Sequence, residues 1–193
     1  MSAHFLAALL VLSTLLGDAS AASVSLRLDS VDVPNGQTEE GRCCDSQTYI
    51  RKCNCLICPA VFYIHCDLTL KLCVEDAEKS NDDPNECQSG FIDTKLLAKN
   101  RDYFHFEPNK KYGDFQNPHT FKPENPNAKL ALKFQLYDQD PVSRNDVIKL
   151  WASRFNPIDI TSMQVGEPRT YVDYVVRHQA STVSLKYTIT RLD

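Results

Sequence analysis

The 193-residue sequence lacks several features that would point to common classes of function. After the first 22 residues it has no apolar run of membrane length, which takes about 20 residues. With a net charge of −4 it lacks the basic face that nucleic-acid partners usually require. Its histidines stand singly, and no serine-hydrolase, zinc-protease or phosphate-loop motif occurs. These absences argue against nucleic acid as a partner and against an enzyme, and they favour a binding module.

The first 21 residues have the pattern of a secretory signal peptide. Residues 5–16 are apolar apart from Ser13 and Thr14, and Ala19-Ser20-Ala21 follows as a cleavage signature. A membrane anchor is the alternative interpretation, but the apolar run is too short to span a bilayer. We therefore expect a secreted or extracellular protein whose mature part, residues 22–193, is one domain.

All the cysteines lie in one stretch, residues 43–87, and none follows it. The segment Cys53-Asn-Cys55-Leu-Ile-Cys58 could be a thiolate cluster for zinc. Secretion and the even number of cysteines favour disulfides instead, so four bridges and no zinc are expected. Adjacent cysteines are poorly placed to bond each other, and the spacing alone does not choose among the remaining pairings. The expected disulfide cysteines are Cys43, Cys44, Cys53, Cys55, Cys58, Cys66, Cys73 and Cys87.

Alternating apolar and polar residues predict several half-buried strands. The clearest are residues 129–137 and 182–190, with a third at the start of the mature chain around Leu26. In the first of these, the apolar face consists of Leu130, Leu132, Phe134 and Leu136, whereas Lys133 and Gln135 are expected to point outward. Residues 61–66 and 171–176 are further strands with less regular patterns. Separate amphipathic strands must bury their apolar faces against one another, which predicts an all-β, antiparallel β-sandwich.

Two segments depart from this strand pattern. Residues 146–155 place Val147, Leu150 and Trp151 at helical spacing, with Asn145 or Asp146 as a cap and Pro157 as the stop, so one short helix is predicted there. Residues 100–127 are rich in Asn, Pro, Lys and aromatics and are predicted to form long loops.

The cysteine stretch resembles the N-terminal (MNNL) domain of the Notch ligands Delta, Serrate and Jagged. The similar features are the adjacent Cys43-Cys44, the step from Lys52-Cys53 to Cys58, and the aromatic strand that ends at Cys66. Cys87 is a sixth matching position. Cys55 and Cys73 have no counterpart in the family pattern, so the resemblance leaves them to form an added bridge with each other.

The second half of the chain adds to this resemblance. The segment from Phe121 to Pro126 precedes the strand that ends in Tyr137-Asp138, as a similar segment does in the family, although the family has Trp in place of Asn125 and Tyr137. At the end of the chain, Leu192 stands where the family has the cysteine that opens its DSL domain.

The resemblance implies a fold like that of calcium- and phospholipid-binding β-sandwiches and binding to the EGF repeats of a Notch-type receptor. It leaves two forms open: the front part of a longer single-pass ligand of the plasma membrane, or a secreted competitor that occupies the receptor. A secreted cysteine-rich inhibitor or defence protein unrelated to Notch is the alternative function. No cofactor is required by any of these interpretations.

Two groups of residues are candidate contact sites. Asp138, Asp140 and Asp146, with Asn145, could bind calcium through clustered oxygens, although Asp and Asn are also ordinary turn and cap residues. The second group mixes aromatic rings with cations, which suits a receptor or anionic phospholipid head groups. It comprises Tyr103, Phe104, Phe106, Lys110 and Lys111. The alternative is that Phe104 and Phe106 are core residues of a short strand.

Overall fold

The computed structural model describes residues 22–34, 36, 38, 44, 66–81, 83–125, 127, 129–139, 146–152, 157–176 and 182–193. Over these residues the chain is built almost entirely from β-strands. The strands are β1 (Val24–Asp32), β2 (Leu68–Asp76), β3 (Ile92–Ala98), β4 (Tyr103–His105), β5 (Lys110–Tyr112), β6 (Phe115–Asn117), β7 (His119–Phe121), β8 (Lys129–Asp138), β9 (Asp146–Ala152), β10 (Ile158–Asp159), β11 (Pro168–Val176) and β12 (Thr182–Arg191). A 3₁₀ turn, Ile160–Ser162, follows β10. Within these residues, no helix has the length and apolar character of a membrane span.

The first sheet has the order β11-β12-β1, with two short strands along the free side of β1. β7 pairs with the first half of β1, where Val24 faces Phe121, and β4 pairs with its second half, where Asp32 faces Tyr103. The two together replace one continuous edge strand. β5 and β6 form a separate hairpin in the chain between them.

The second sheet has the order β3-β2-β8, and its edge beyond β8 is also made of two pieces. β9 pairs with residues 133–138 of β8, and β10 pairs with residues 129–130. The antiparallel sandwich predicted from the sequence is therefore confirmed. The long strands β1, β8 and β12 lie where the alternating pattern placed them, and β11 contains the predicted, less regular strand at residues 171–176.

The predicted helix at residues 146–155 is wrong, because residues 146–152 form strand β9. As a strand, this segment pairs with the open backbone edge of β8 and places Trp151 beside Phe134, with ring centroids 5.1 Å apart. A free β8 edge would leave backbone groups without partners, which outweighs a weak helical pattern. Residues 100–127 are likewise not only loops, because they contain β4, β5, β6 and β7.

The core lies between the two sheets. The predicted inward face of β8 is confirmed, since Leu130, Leu132, Phe134 and Leu136 are all buried. The facing side chains of the first sheet include Leu26, Leu28, Leu185 and Tyr187. Burying such a set of large apolar side chains is the main stabilising contribution in a sandwich of this size.

The outer face of the second sheet is covered by the segment between β2 and β3, residues 77–91, which we call the strap; all of it but residue 82 is described. Lys133 is only 1% exposed beneath it, and its ammonium group contacts Glu75 Oε1 at 2.8 Å, Asn81 Oδ1 at 2.8 Å and Glu86 O at 2.7 Å. Gln135 is also buried and donates to Pro84 O at 2.8 Å. The expected exposure of Lys133 and Gln135 is therefore wrong.

Two disulfides lie within the described residues. Cys44 bonds Cys66, and Cys73 bonds Cys87 with their Cα atoms 5.9 Å apart. The second bridge overturns the expected pairing of Cys73 with Cys55, because Cys87 in the strap lies directly over Cys73 in β2. Cys43, Cys53, Cys55 and Cys58, together with the predicted strand 61–65 and the predicted signal peptide, fall outside the described residues.

Candidate functional site: an aromatic and basic edge

An aromatic cluster fixes the hairpin β5–β6 to the edge of the first sheet. The rings of Phe104, Phe106 and Tyr112 meet edge to face, with centroids 4.9, 5.6 and 5.2 Å apart. Such edge-to-face pairs each add about 0.5–1.5 kcal/mol beyond the area they bury. The Tyr112 hydroxyl accepts a hydrogen bond from the backbone N–H of Glu107 at 2.7 Å, so its one polar group is satisfied.

Phe106 is 2% exposed and belongs to the hydrophobic core, so its assignment as a direct contact residue has to be corrected. Its neighbour Phe104 is partly buried and packs against the same core. Strand pairing explains this difference from the sequence interpretation: the backbone N–H of Phe106 donates to Asp29 O of β1, which draws the segment into the sandwich. Both rings support the edge from beneath.

The remaining predicted contact residues are exposed on this edge. Tyr103 is 51% exposed in β4, and Lys110 and Lys111 are exposed in β5. Lys110 forms a 2.7 Å ion pair with Glu107, which raises the pKa of its ammonium group, and the ammonium lies 5.7 Å from the Tyr112 ring centroid. We call the exposed set Tyr103, Lys110 and Lys111 the edge surface.

A second exposed tyrosine lies on the same face of the first sheet. Register places Tyr174 of β11 opposite Ser184, Ser184 opposite Asp32, and Asp32 opposite Tyr103. Tyr174 and Tyr103 therefore lie at the two ends of one row of cross-strand neighbours. Tyr174 is 68% exposed. Tyr174 was not among the contact residues predicted from the sequence, and the alternation of residues 171–176 would group it with Val172 and Val176 on an apolar, inward face.

Asp138 and Asp146, two of the three predicted calcium residues, lie at one end of the second sheet. Asp138 is fully buried, and its Oδ1 accepts a hydrogen bond from the Asp67 backbone N–H at 2.6 Å. Asp146 faces Asp138 in the β8–β9 register, and Asp140 falls outside the described residues. At the neighbouring end of β1, burial and the charge of Asp102 raise the pKa of Asp32.

A calcium shell needs six to eight oxygens, and among the described residues no three carboxylates come together to begin one. The single group of three potential ligand atoms in the described part of the chain is Cys73, Glu75 and Cys87, and both sulfurs there are joined in a disulfide. A disulfide sulfur is not the thiolate that a metal requires. Calcium binding at Asp138, Asp140 and Asp146 therefore stays a prediction.

Comparison with known proteins identifies the family. The model described as "N terminus of Notch ligand C2-like domain" (MNNL) matches residues 22–135, which is more than half of the chain. The chain belongs to this family of Notch-ligand domains. The family is that of an extracellular signalling module and not of an enzyme. A search of curated protein sequences finds no match.

A solved structure shares the fold of this Notch-ligand domain. The structure titled "Structure of Drosophila C2-DSL-EGF1" superposes with a TM-score of 0.56 at 20% identity, covering 88% of this chain and 67% of that one. Two further structures are less similar. A C2 domain of plant extended synaptotagmin 1 gives a TM-score of 0.46 at 11% identity, covering 90% and 95% of the two chains. Human GIVD cytosolic phospholipase A2 gives 0.49 at 13% identity, covering 92% of this chain but only 17% of the enzyme.

Proposed function

We propose that this Notch-ligand domain binds the EGF repeats of a Notch-type receptor outside the cell. The observation that supports the proposal is the family match over residues 22–135, joined by a fold shared with a structure whose title names C2, DSL and EGF1 parts. In its secreted form the domain occupies the receptor without pulling on it, so it competes with a complete ligand and does not signal.

The edge surface is the part of the molecule best suited to this contact. Interfaces draw most of their affinity from a few aromatic and cationic anchors in well-packed surroundings. Tyr103 supplies an exposed ring on a rigid strand, since β4 is paired to β1, and Lys110 and Lys111 stand on the hairpin that follows. Phe104 holds β4 and the hairpin together by its contact with Tyr112, so the surface is preorganised.

The test is a binding measurement between residues 22–193 and tandem EGF repeats of a Notch-type receptor, by biolayer interferometry. We expect weak but saturable binding, and Tyr103→Ala should weaken it about tenfold, the usual effect of losing an aromatic anchor. Lys111→Glu should weaken binding and reduce its dependence on salt. In a receptor reporter assay, the domain should inhibit a complete ligand.

Tyr174→Ala is the matched control, because it removes another exposed tyrosine from the opposite edge of the same sheet. It should leave affinity unchanged. A loss of affinity with Tyr174→Ala and not with Tyr103→Ala would place the contact on β11. Absence of binding by a folded domain at high concentration, or receptor activation by the soluble monomer, would contradict the proposed function.

A further inference from the structure

We propose that the Cys73–Cys87 disulfide is a thiol–disulfide exchange site, at which an extracellular dithiol releases the strap while the sandwich stays folded. The site would take a dithiol of the kind presented by thiol oxidoreductases. This inference does not depend on the proposed receptor contact, because the strap covers the second sheet and the edge surface belongs to the first sheet and its hairpin.

The two disulfides within the described residues differ in their exposure to solvent. Cys44 and Cys66 are both 0% exposed within the core, so an attacking thiolate has no approach to them. Cys87 is partly exposed in the strap, where its sulfur contacts Ser89 Oγ at 3.2 Å and Gly90 O at 3.2 Å. Accessible disulfides are the ones that exchange readily with external thiols.

The face beneath the strap can meet water without exposing the core. Its side chains are polar or amphipathic: Lys71, Glu75, Lys133, Gln135 and Tyr137 share the outer face of β2 and β8. The large apolar side chains of both strands point the other way, into the sandwich. Release of the strap would therefore hydrate an ion pair and an amide on this face, and the core side chains that it uncovers would be those lining the adjoining cavity, Val74 and Leu130.

The strap itself is held mainly by polar contacts that water can replace. Gln88 N–H donates to Glu75 Oε2 at 3.0 Å, and Ser89 Oγ donates to Val74 O at 2.9 Å. Asn81 and Pro84 supply oxygens to Lys133 and Gln135 from the same segment. Intramolecular hydrogen bonds add about 0.5–1.5 kcal/mol each to stability, or about 1.5–3 kcal/mol where one partner is charged, as with Lys133 and Glu75. Each of them can open and close reversibly, so the covalent bond is what keeps the strap closed.

The exchange is a balanced two-electron reduction. A thiolate of the dithiol attacks Cys87 Sγ, the Cys73–Cys87 bond breaks, and Cys73 leaves as a thiolate that takes a proton from solvent. The second thiol of the reductant then attacks the mixed disulfide and releases Cys87, also to be protonated. The protein gains two thiols, and the dithiol becomes a disulfide. The Ser89 hydroxyl lies 3.8 Å from Cys73 Sγ and would solvate the departing thiolate by turning its one proton away from Val74 O.

Release of the strap would also open a cavity. A space of about 320 Å³ lies between the strap and residues 121–124, with Val74 and Leu130 among its lining. Lys79 of the strap pairs with Glu124 across it, and Gln88 and Ser89 form part of its wall. Reduction at Cys73–Cys87 would remove that wall, so the accessible surface of the domain would depend on the local thiol chemistry.

Graded dithiothreitol, differential alkylation and mass spectrometry of the oxidised full-length mature protein test the proposal. We expect Cys73 and Cys87 to be alkylated at reductant concentrations on the order of tenfold lower than Cys44 and Cys66. Hydrogen exchange at that point should show strap amides, such as those of Ser80 and Gln88, exchanging on the order of tenfold faster, with β8 amides still protected.

Cys73→Ser/Cys87→Ser is the companion variant, and it should show the same fast strap exchange without any reductant. The proposal would be overturned if Cys44–Cys66 were reduced before Cys73–Cys87 or at the same dithiothreitol concentration. It would also be overturned if the β8 amides lost their protection when Cys73–Cys87 is reduced. Unchanged strap protection after selective reduction would also overturn it. Each of these outcomes is measured on the protein without substitutions, so the proposal is tested even if the double variant fails to fold.

Discussion

The side chain of Asn117 takes the place of a neighbouring strand beside Leu28. Its Oδ1 accepts from the Leu28 N–H at 3.0 Å, and its Nδ2 donates to the Leu28 C=O at 3.0 Å. Leu28 lies in the gap between the β1 residues that pair with β7 and those that pair with β4. A single buried amide thus bridges the break in this sheet edge.

Replacing Asn117 should test this role. Asn117→Ala would leave the N–H and C=O of Leu28 buried without partners, at about 1–3 kcal/mol for each group. We expect the free energy of unfolding to fall by about 2–4 kcal/mol in urea denaturation. Asn85→Ala, at an exposed turn asparagine, is the control and should change stability by no more than about 0.5 kcal/mol. Equal effects at the two positions would mean that the amide does not support β1.

Lys133→Met should be strongly destabilising, because it leaves the Glu75 carboxylate buried without its partner. Loss of one member of a buried pair costs about 3–5 kcal/mol, whereas replacement of both members by apolar residues is often neutral. Lys133→Met/Glu75→Leu should therefore recover most of the loss in urea denaturation. Lys186→Met, at an exposed lysine of β12, serves as control. A double variant that is no more stable than Lys133→Met would contradict the coupling.

Asp173→Asn should stabilise the domain at neutral pH. Burial raises the pKa of Asp173, and the hydrogen bond from the Tyr187 hydroxyl at 3.2 Å lowers it only in part. Because the folded state then holds this proton more tightly than the unfolded state, stability falls as pH rises from about 4 through the raised pKa. The gain in unfolding free energy from Asp173→Asn should be present above that pKa and should disappear at about pH 4.

Unfolding free energies measured across this pH range check the sign. Asp114→Asn, at an exposed position, should show no comparable gain. A stabilisation by Asp173→Asn that grew on acidification would show that its pKa is lowered by folding. Tyr187→Phe, which removes the donor, should steepen the pH dependence of the unmodified Asp173.

Calcium binding at the acidic end of the second sheet is open to direct titration. Calorimetry should detect a weak site with Kd about 10⁻⁴–10⁻³ M, the range of extracellular modules. Asp140→Asn should weaken it, and magnesium at the same concentration should not replace calcium. Calcium should also promote sedimentation with phosphatidylserine vesicles. A titration without heat and without a change in thermal stability would remove the calcium assignment, and vesicle binding independent of calcium would favour Lys110 and Lys111.

The sequence predicted those strands whose two faces differ clearly. β8 and β12 alternate strictly, so their inward side chains could be read from residues 129–137 and 182–190. β2 alternates as well, through Leu68, Leu70, Leu72 and Val74, but no strand was predicted there from the sequence. β9 was mistaken for a helix because its identity depends on the neighbouring edge of β8, which no local pattern contains.

The sites were less predictable, because burial depends on distant segments. Alternation alone places Lys133 in solvent, and only the fold shows that the strap covers it. Tyr103, Phe104 and Phe106 form one aromatic run in sequence, yet pairing of β4 with β1 separates them into an exposed ring and two supporting ones. The family resemblance, in contrast, is visible in the sequence because the cysteine spacing that carries it is local in the chain.

The divided edges of the two sheets have a consequence for self-association. A long unpaired strand edge is a template on which other chains add. One edge here is split between β4 and β7, another between β9 and β10, and β3 is irregular around Lys95, which has a positive φ of 57°. Among the described strands, β11 alone offers nine consecutive residues at an open edge, so amyloid-like pairing, should the domain ever aggregate, would begin there.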